Sequence, residues 1–120
     1  MRILVVGMNP AAGKSGRIAK NSTFDKLHRW MDEVTVKHFS FINCFDEICA
    51  APKLNMVDFE RLSSVSNDYK VLALGGFASA ALNRLKIEHH RLPHPSPRNR
   101  LFNDKNFEKI VIKQLKEFLV

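Results

Sequence analysis

The chain has 120 residues, of which 45% are hydrophobic and 26% charged. That length suits one domain over 1–120, and the balance of apolar and charged residues excludes a disordered or collagen-like chain. Nineteen Lys and Arg against twelve Asp and Glu leave a net charge of +7, the sign expected of a protein held near phosphate backbones.

No apolar run approaches the roughly 20 residues that span a bilayer. Ile3-Leu4-Val5-Val6 is too short for a secretory signal, so no membrane partner is expected. Cys44 and Cys49 fit neither a disulfide framework nor a four-ligand zinc site. A reduced, intracellular setting follows, cytoplasmic or nucleoid-associated. The cysteines and histidines show no ligand spacing for a metal.

In chain order, residues 2–6 are an apolar run ending at Gly7, which suits a buried parallel strand. Residues 7–21 read as a long loop. Ser22 or Thr23 can cap a helix to Glu33, with Phe24, Leu27, Trp30 and Met31 on one face. A second strand is expected over 34–43, then a loop containing Pro52 and a short helix from an Asn55 cap through Ser63. Lys70 to Leu74 is the third strand, closed by Gly75-Gly76. Phe77 to Leu85 reads as an Ala-rich helix and Ile87 to Leu92 as a fourth strand. Pro93 to Asn99 is a proline-rich loop. Asn103 or Asp104 caps a last helix to Val120, with Phe107, Ile110, Val111, Leu115 and Phe118 as its apolar stripe.

Strands alternating with helices imply parallel pairing and right-handed crossovers. The expected fold is a three-layer α/β/α sandwich around a four-stranded parallel sheet. Ligands in such folds bind outside the carboxyl ends of the strands, where the unusual residues gather: Gly7-Met8-Asn9-Pro10, Asn43, Gly75-Gly76 and His94-Pro95-Ser96-Pro97.

Gly13-Lys14-Ser15 suggests a phosphate-binding loop, but Gly7 lies one residue too early for that spacing. Pro10 also removes a backbone donor from a loop that would work by donation. Lys14, Arg17 and Lys20 are therefore read either as a solvated loop or as contacts to DNA phosphates. In the second case their loss weakens binding to all sequences alike and flattens its salt dependence.

Gly7-Met8-Asn9-Pro10 and His94-Pro95-Ser96-Pro97-Arg98-Asn99, in that order after the first and last strands, resemble motifs of the uracil-DNA glycosylase superfamily. The wording is most similar to the single-strand-selective monofunctional uracil-DNA glycosylases, whose motifs read Gly-Met-Asn-Pro-Gly and His-Pro-Ser-Pro-Arg-Asn-Pro. The resemblance implies an enzyme that flips a base out of single- or double-stranded DNA and hydrolyses its bond to the sugar, without a cofactor. Asn9 would orient the attacking water, and His94 would donate to the base oxygen as the base leaves as an anion. Gly7, Met8 and Pro10 would shape the base pocket.

Asn43 would pair with the uracil edge, since an amide offers adjacent donor and acceptor. Pro95, Ser96 and Pro97 would stiffen a loop that pinches the DNA backbone, with Asn99 in the same motif. Arg98 would push into the stack, and Leu101 or Phe102 is an alternative wedge. Phe24 and Phe41 are candidate platforms beneath the base. Against each role stands a structural reading, from an Asn-Pro turn to a loop histidine. His38, His89 and His90 take such a reading, and His28 that of a helix surface.

Two positions depart from the motifs: Ala11 stands where the family has Gly, and Arg100 where it has Pro. The departures leave open another altered base as substrate, a non-catalytic DNA- or RNA-binding module on the same fold, and a nucleotide-processing enzyme using the same pocket.

Overall fold

A computed structural model describes residues 2–8, 22–47, 51–66, 68–95 and 99–120, with the side chains at 22, 23, 65 and 66 excepted. The elements are β1 (Ile3–Gly7), α1 (Ser22–Glu33), β2 (Ser40–Asn43), α2 (Phe59–Ser66), β3 (Lys70–Leu74), α3 (Gly75–Arg84), β4 (His90–Leu92) and α4 (Lys105–Leu119). Short 3-10 turns at Leu54–Met56 and Arg100–Asn103 precede α2 and α4.

The four strands form one all-parallel sheet in the order β2-β1-β3-β4. The period-2 alternation of strands sends Ile3 and Val5 to one face of the sheet and Leu4 and Val6 to the other. On the first face they join Leu72, Leu74 and Leu92 beneath Leu27, Trp30 and Met31 of α1 and Val111, Leu115 and Leu119 of α4. On the second they join Val71 and Ala73 beneath Leu62 of α2 and Ala78, Ala81 and Leu82 of α3. Helices thus cover both faces, as continuous apolar strands require. Across the top of the first layer, Glu108 of α4 accepts from Arg29 and from the buried Trp30 indole of α1. Burial alone would raise the Glu108 carboxyl, but the Arg29 and Trp30 hydrogen bonds outweigh it and hold it below the usual range.

β3 and α1 fall where the sequence places them and β1 runs one residue later at each end than the expected 2–6, whereas the cap expected at Ser22 or Thr23 lies outside the described side chains. β2 is shorter than the expected 34–43. Val36 N–H donates to the Met31 carbonyl and Thr35 N–H to Asp32, with Thr35 at φ 61°. Residues 34–36 therefore close α1 in a Schellman motif, and no strand begins before Ser40. The start of β4 is trimmed for the same reason. Lys86 sits at φ 56°, Ile87 N–H donates to Leu82 and Lys86 N–H to Asn83, so Ile87 belongs to the end of α3.

α3 itself begins at Gly75 rather than Phe77. The cap of α2 is Asp58, whose carboxylate accepts from Arg61 N–H, while Asn55 lies in the preceding turn. Asp104 caps α4 by accepting from Asn106 N–H. Ile110 is not in the stripe: it is 51% exposed, and the buried line is Val111, Leu115 and Leu119 at helical spacing.

Candidate functional site

In the order β2-β1-β3-β4 the chain leaves β1 toward one edge and β3 toward the other. The topological switch point is therefore the crevice between β1 and β3, where open parallel sheets bind ligands. Register fixes what stands there. Gly7 pairs with Asn43, Val6 with Ala73, and Leu74 with Leu92. The carboxyl ends of all four strands thus lie in one row.

Gly7 is buried and closely packed. A Cβ on it would lie 2.8 Å from Asn43 Oδ1 and 2.8 Å from Phe41 Cζ. Space favours glycine there, and its absence of a side chain seats the Asn43 amide on the end of β1. Beyond the ladder, Cys44 N–H donates to the Gly7 carbonyl at 2.9 Å and Phe45 N–H to the Met8 carbonyl at 3.4 Å. Met8 is half-buried against the second core layer. Two backbone hydrogen bonds thus continue the pairing of β1 with β2 past the strand ends, to Met8 and Phe45.

The ring of Phe41 meets that of Phe24 edge to face, with centroids 4.8 Å apart. The two candidate platforms therefore form one aromatic corner next to Gly7 and Asn43. His28 continues the corner along α1, packed on Phe24 and Phe39.

His94 follows β4 by two residues and folds back over the end of β3. A Cβ on Gly75, itself at φ 84°, would lie 3.4 Å from His94 Cβ and 3.7 Å from Cδ2. His94 is exposed as a whole residue, but one face of it lies against Gly75. Burial of that face holds its pKa below the ordinary histidine value and favours the neutral ring at neutral pH. Pro95 is fully buried and anchors the loop from inside instead of offering a surface. Asn99 donates to the His94 carbonyl and accepts from Leu101 N–H, so its amide ties His94 to the following turn.

Phe102 packs on Trp30 and Phe107 with Lys26 over its ring, whereas Leu101 is 56% exposed. Of the two wedge candidates, Leu101 is the one in solvent. Asn9, Pro10, Ala11, Lys14, Arg17, Lys20, Ser96, Pro97 and Arg98 lie outside the described residues, as does Cys49. Cys44 is a buried free thiol, pushed up to about 11 by burial, with the nearby Arg61 charge opposing.

Arg61 of α2 is a residue that nothing in the local sequence signals. Its Nη2 donates to the Asn43 carbonyl at 2.8 Å and its Nη1 to Asp46 at 2.6 Å, partners 18 and 15 residues away in sequence. His89 Nδ1 donates to the Ile87 carbonyl at 2.8 Å, and its Nε2 lies 2.8 Å from Ser79 Oγ. That bridge lies outside the row of strand ends and agrees with the structural reading of His89. A cavity of about 480 Å³ opens elsewhere, among Ile3, Val34 to His38 and Leu119. It contains none of the expected site residues.

Among the described residues no group of His, Cys, Asp and Glu is arranged to hold a metal ion, and no helix is long and apolar enough to cross a membrane. No protein-family model matches the chain, and no curated protein matches it.

Proposed function

We propose that this chain is a DNA glycosylase of the uracil-DNA glycosylase superfamily, hydrolysing the N-glycosidic bond of uracil or a related altered base in DNA. The observation that supports the reading is that an amide and an imidazole stand along the same row of strand ends, one on each side of the switch point. Asn43 is seated on Gly7 at the end of β1, and His94 is folded over Gly75 at the end of β3. Between β2, which holds Asn43, and β3 there are two strand spacings, roughly 10 Å of backbone. A planar base spans such a gap with a hydrogen-bonding group at either end.

In this reading the flipped base rests against the Phe24–Phe41 corner, with its polar edge on the Asn43 amide. Asn9 orients water toward the sugar carbon as the sugar becomes oxocarbenium-like. The C–N bond breaks, its electron pair leaves with the base, and the developing negative charge on the base oxygen is met by an N–H of neutral His94. The neutral ring supplies that donor without a full positive charge, in keeping with its lowered pKa. Water adds to the sugar and releases a proton to solvent, leaving an abasic site. The net charge of +7 suits a DNA partner, and an intracellular location goes with it.

A uracil-containing single-stranded oligonucleotide, incubated with the protein and then cleaved by alkali at abasic sites, tests the reading. Cleavage that Asn9→Ala and His94→Ala each reduce by at least about 100-fold is the expected result. Salt-sensitive binding without cleavage across a panel of altered bases favours a binding module instead. Phosphate release from free nucleotides favours a nucleotide-processing enzyme.

A further inference from the structure

The residue that reads the base edge is the last of an edge strand, and Arg61 holds it from outside the pocket. Its planar fork spans two points of the loop that leaves β2: Nη2 on the Asn43 carbonyl at 2.8 Å and Nη1 on the Asp46 carboxylate at 2.6 Å. Its Nε is buried without a hydrogen-bond partner, so the guanidinium is held entirely by its outer nitrogens. The arginine is itself fixed. Its backbone N–H donates to Asp58 Oδ1, and Asp58 N–H donates to the Cys44 carbonyl, both at 3.0 Å. A closed circuit thus runs from the end of β2 through Asp58 and the first turn of α2 back to Asn43. On the other side of the same residue, the Asn43 side-chain oxygen rests on Gly7.

We propose that Arg61 is a positioning residue that fixes the orientation of the Asn43 amide and so sets the selectivity of the pocket for uracil over cytosine. This rests on the reading of Asn43 as the base-edge residue. The two bases differ in which edge atoms donate and which accept, and a primary amide tells them apart only if it cannot rotate. The backbone carbonyl and the side-chain amide of Asn43 share one Cα. Clamping the first at 2.8 Å fixes the Cα from which the second springs, and close packing on Gly7 limits how far the amide can swing. Lysine cannot replace the fork, because a single ammonium does not bridge Asn43 and Asp46 in one plane.

The test uses the full chain and two variants, Arg61→Met and Arg61→Lys. In each, KM for uracil-containing single-stranded DNA is expected to rise about tenfold, the effect of one well-placed hydrogen bond. The kcat is expected to stay within about twofold, and discrimination against cytosine to fall as KM rises. NMR of the free protein gives a readout independent of activity. The Asn43 carbonyl carbon is expected to shift and its two side-chain amide proton signals to move toward the positions of a freely rotating asparagine, with other core resonances unmoved.

Unchanged Asn43 resonances in either variant overturn the proposal, as does a fall in kcat with KM unchanged. A wild-type protein without glycosylase activity would sink the functional reading alone, and the NMR arm would still decide whether Arg61 positions Asn43. Should Arg61→Met not fold, Arg61→Lys retains the charge beside Asp46 and carries both measurements.

Discussion

The side-chain oxygen of Asn43 lies 2.8 Å from the point where a Cβ on Gly7 would stand. The pair joins the ends of two neighbouring strands in register, so one missing methyl group on β1 determines where an amide on β2 can sit. The backbone of Gly7 is not in the left-handed region, which makes the requirement one of space alone.

Gly7→Ala is therefore expected to injure the site more than the fold. The atoms in the way are the ends of the Asn43 and Phe41 side chains, which can swing aside, so stability should fall by only about 1–2 kcal/mol. Displacing the amide and its aromatic neighbour should lower uracil excision by about 100-fold. Urea denaturation beside the oligonucleotide assay separates the two effects. A stability loss with full activity would count against the placement of the base on Asn43.

Acid should destabilise the protein in a defined window. Burial holds His94 below the ordinary value of 6.5, and burial followed by the neighbouring His89 charge does the same for His90. The unfolded chain then binds protons more readily than the folded one, so stability falls as pH drops through 6.5 and continues to fall until the lowered folded values are passed. Urea midpoints at pH 7.5 and pH 5.5 are expected to differ in the wild type, and to differ less in His90→Gln and in His94→Gln. An equal difference in all three proteins would contradict the assignment.

Leu101→Ala is expected to leave stability within about 0.5 kcal/mol, because the side chain is exposed. If Leu101 fills the gap left by a flipped base, excision from duplex DNA should drop several-fold while excision from single strands is unchanged, since only a stacked duplex needs the gap filled. Parallel assays on the two substrates check it.

Thr35→Gly should stabilise the protein. A β-branched residue at φ 61° is strained by roughly 1–2 kcal/mol, and glycine relieves that strain at some entropic cost in the unfolded chain. A net gain of about 1 kcal/mol in thermal or urea unfolding is expected. A loss instead would mean that the Thr35 hydroxyl bond to the Val34 carbonyl outweighs the strain.

The mistaken boundaries share a cause with that strain. Val-Thr-Val before β2 and Ile87 before β4 carry β-branched patterns that read as strand. Each segment instead ends a helix, through Thr35 and Lys86 in left-handed backbone without the glycine that ordinarily announces such a turn. Ile110 fits the apolar spacing of α4 three residues after Phe107, yet it lies one position before the buried line that starts at Val111. One step along a helix turns a side chain by about 100°, enough to leave Ile110 in water.

What the sequence determined by itself is whatever is written in local period and local chemistry. The apolar runs of β1 and β3, the helical stripes of α1 and α4, a cap for α4 at Asn103 or Asp104 and the alternation that forces a parallel sheet are all of this kind. So is the gathering of Gly7, Asn43 and His94 at strand ends, since parallel strands all present their carboxyl ends on one side. Tertiary structure alone decided the strand order, and with it the switch point. It also decided that Pro95 is buried while Leu101 is bare, that Phe24 meets Phe41, and that Arg61 clasps Asn43. Each of these depends on which distant segments pack together, and a contact between residues far apart in the chain leaves no periodic trace at either position.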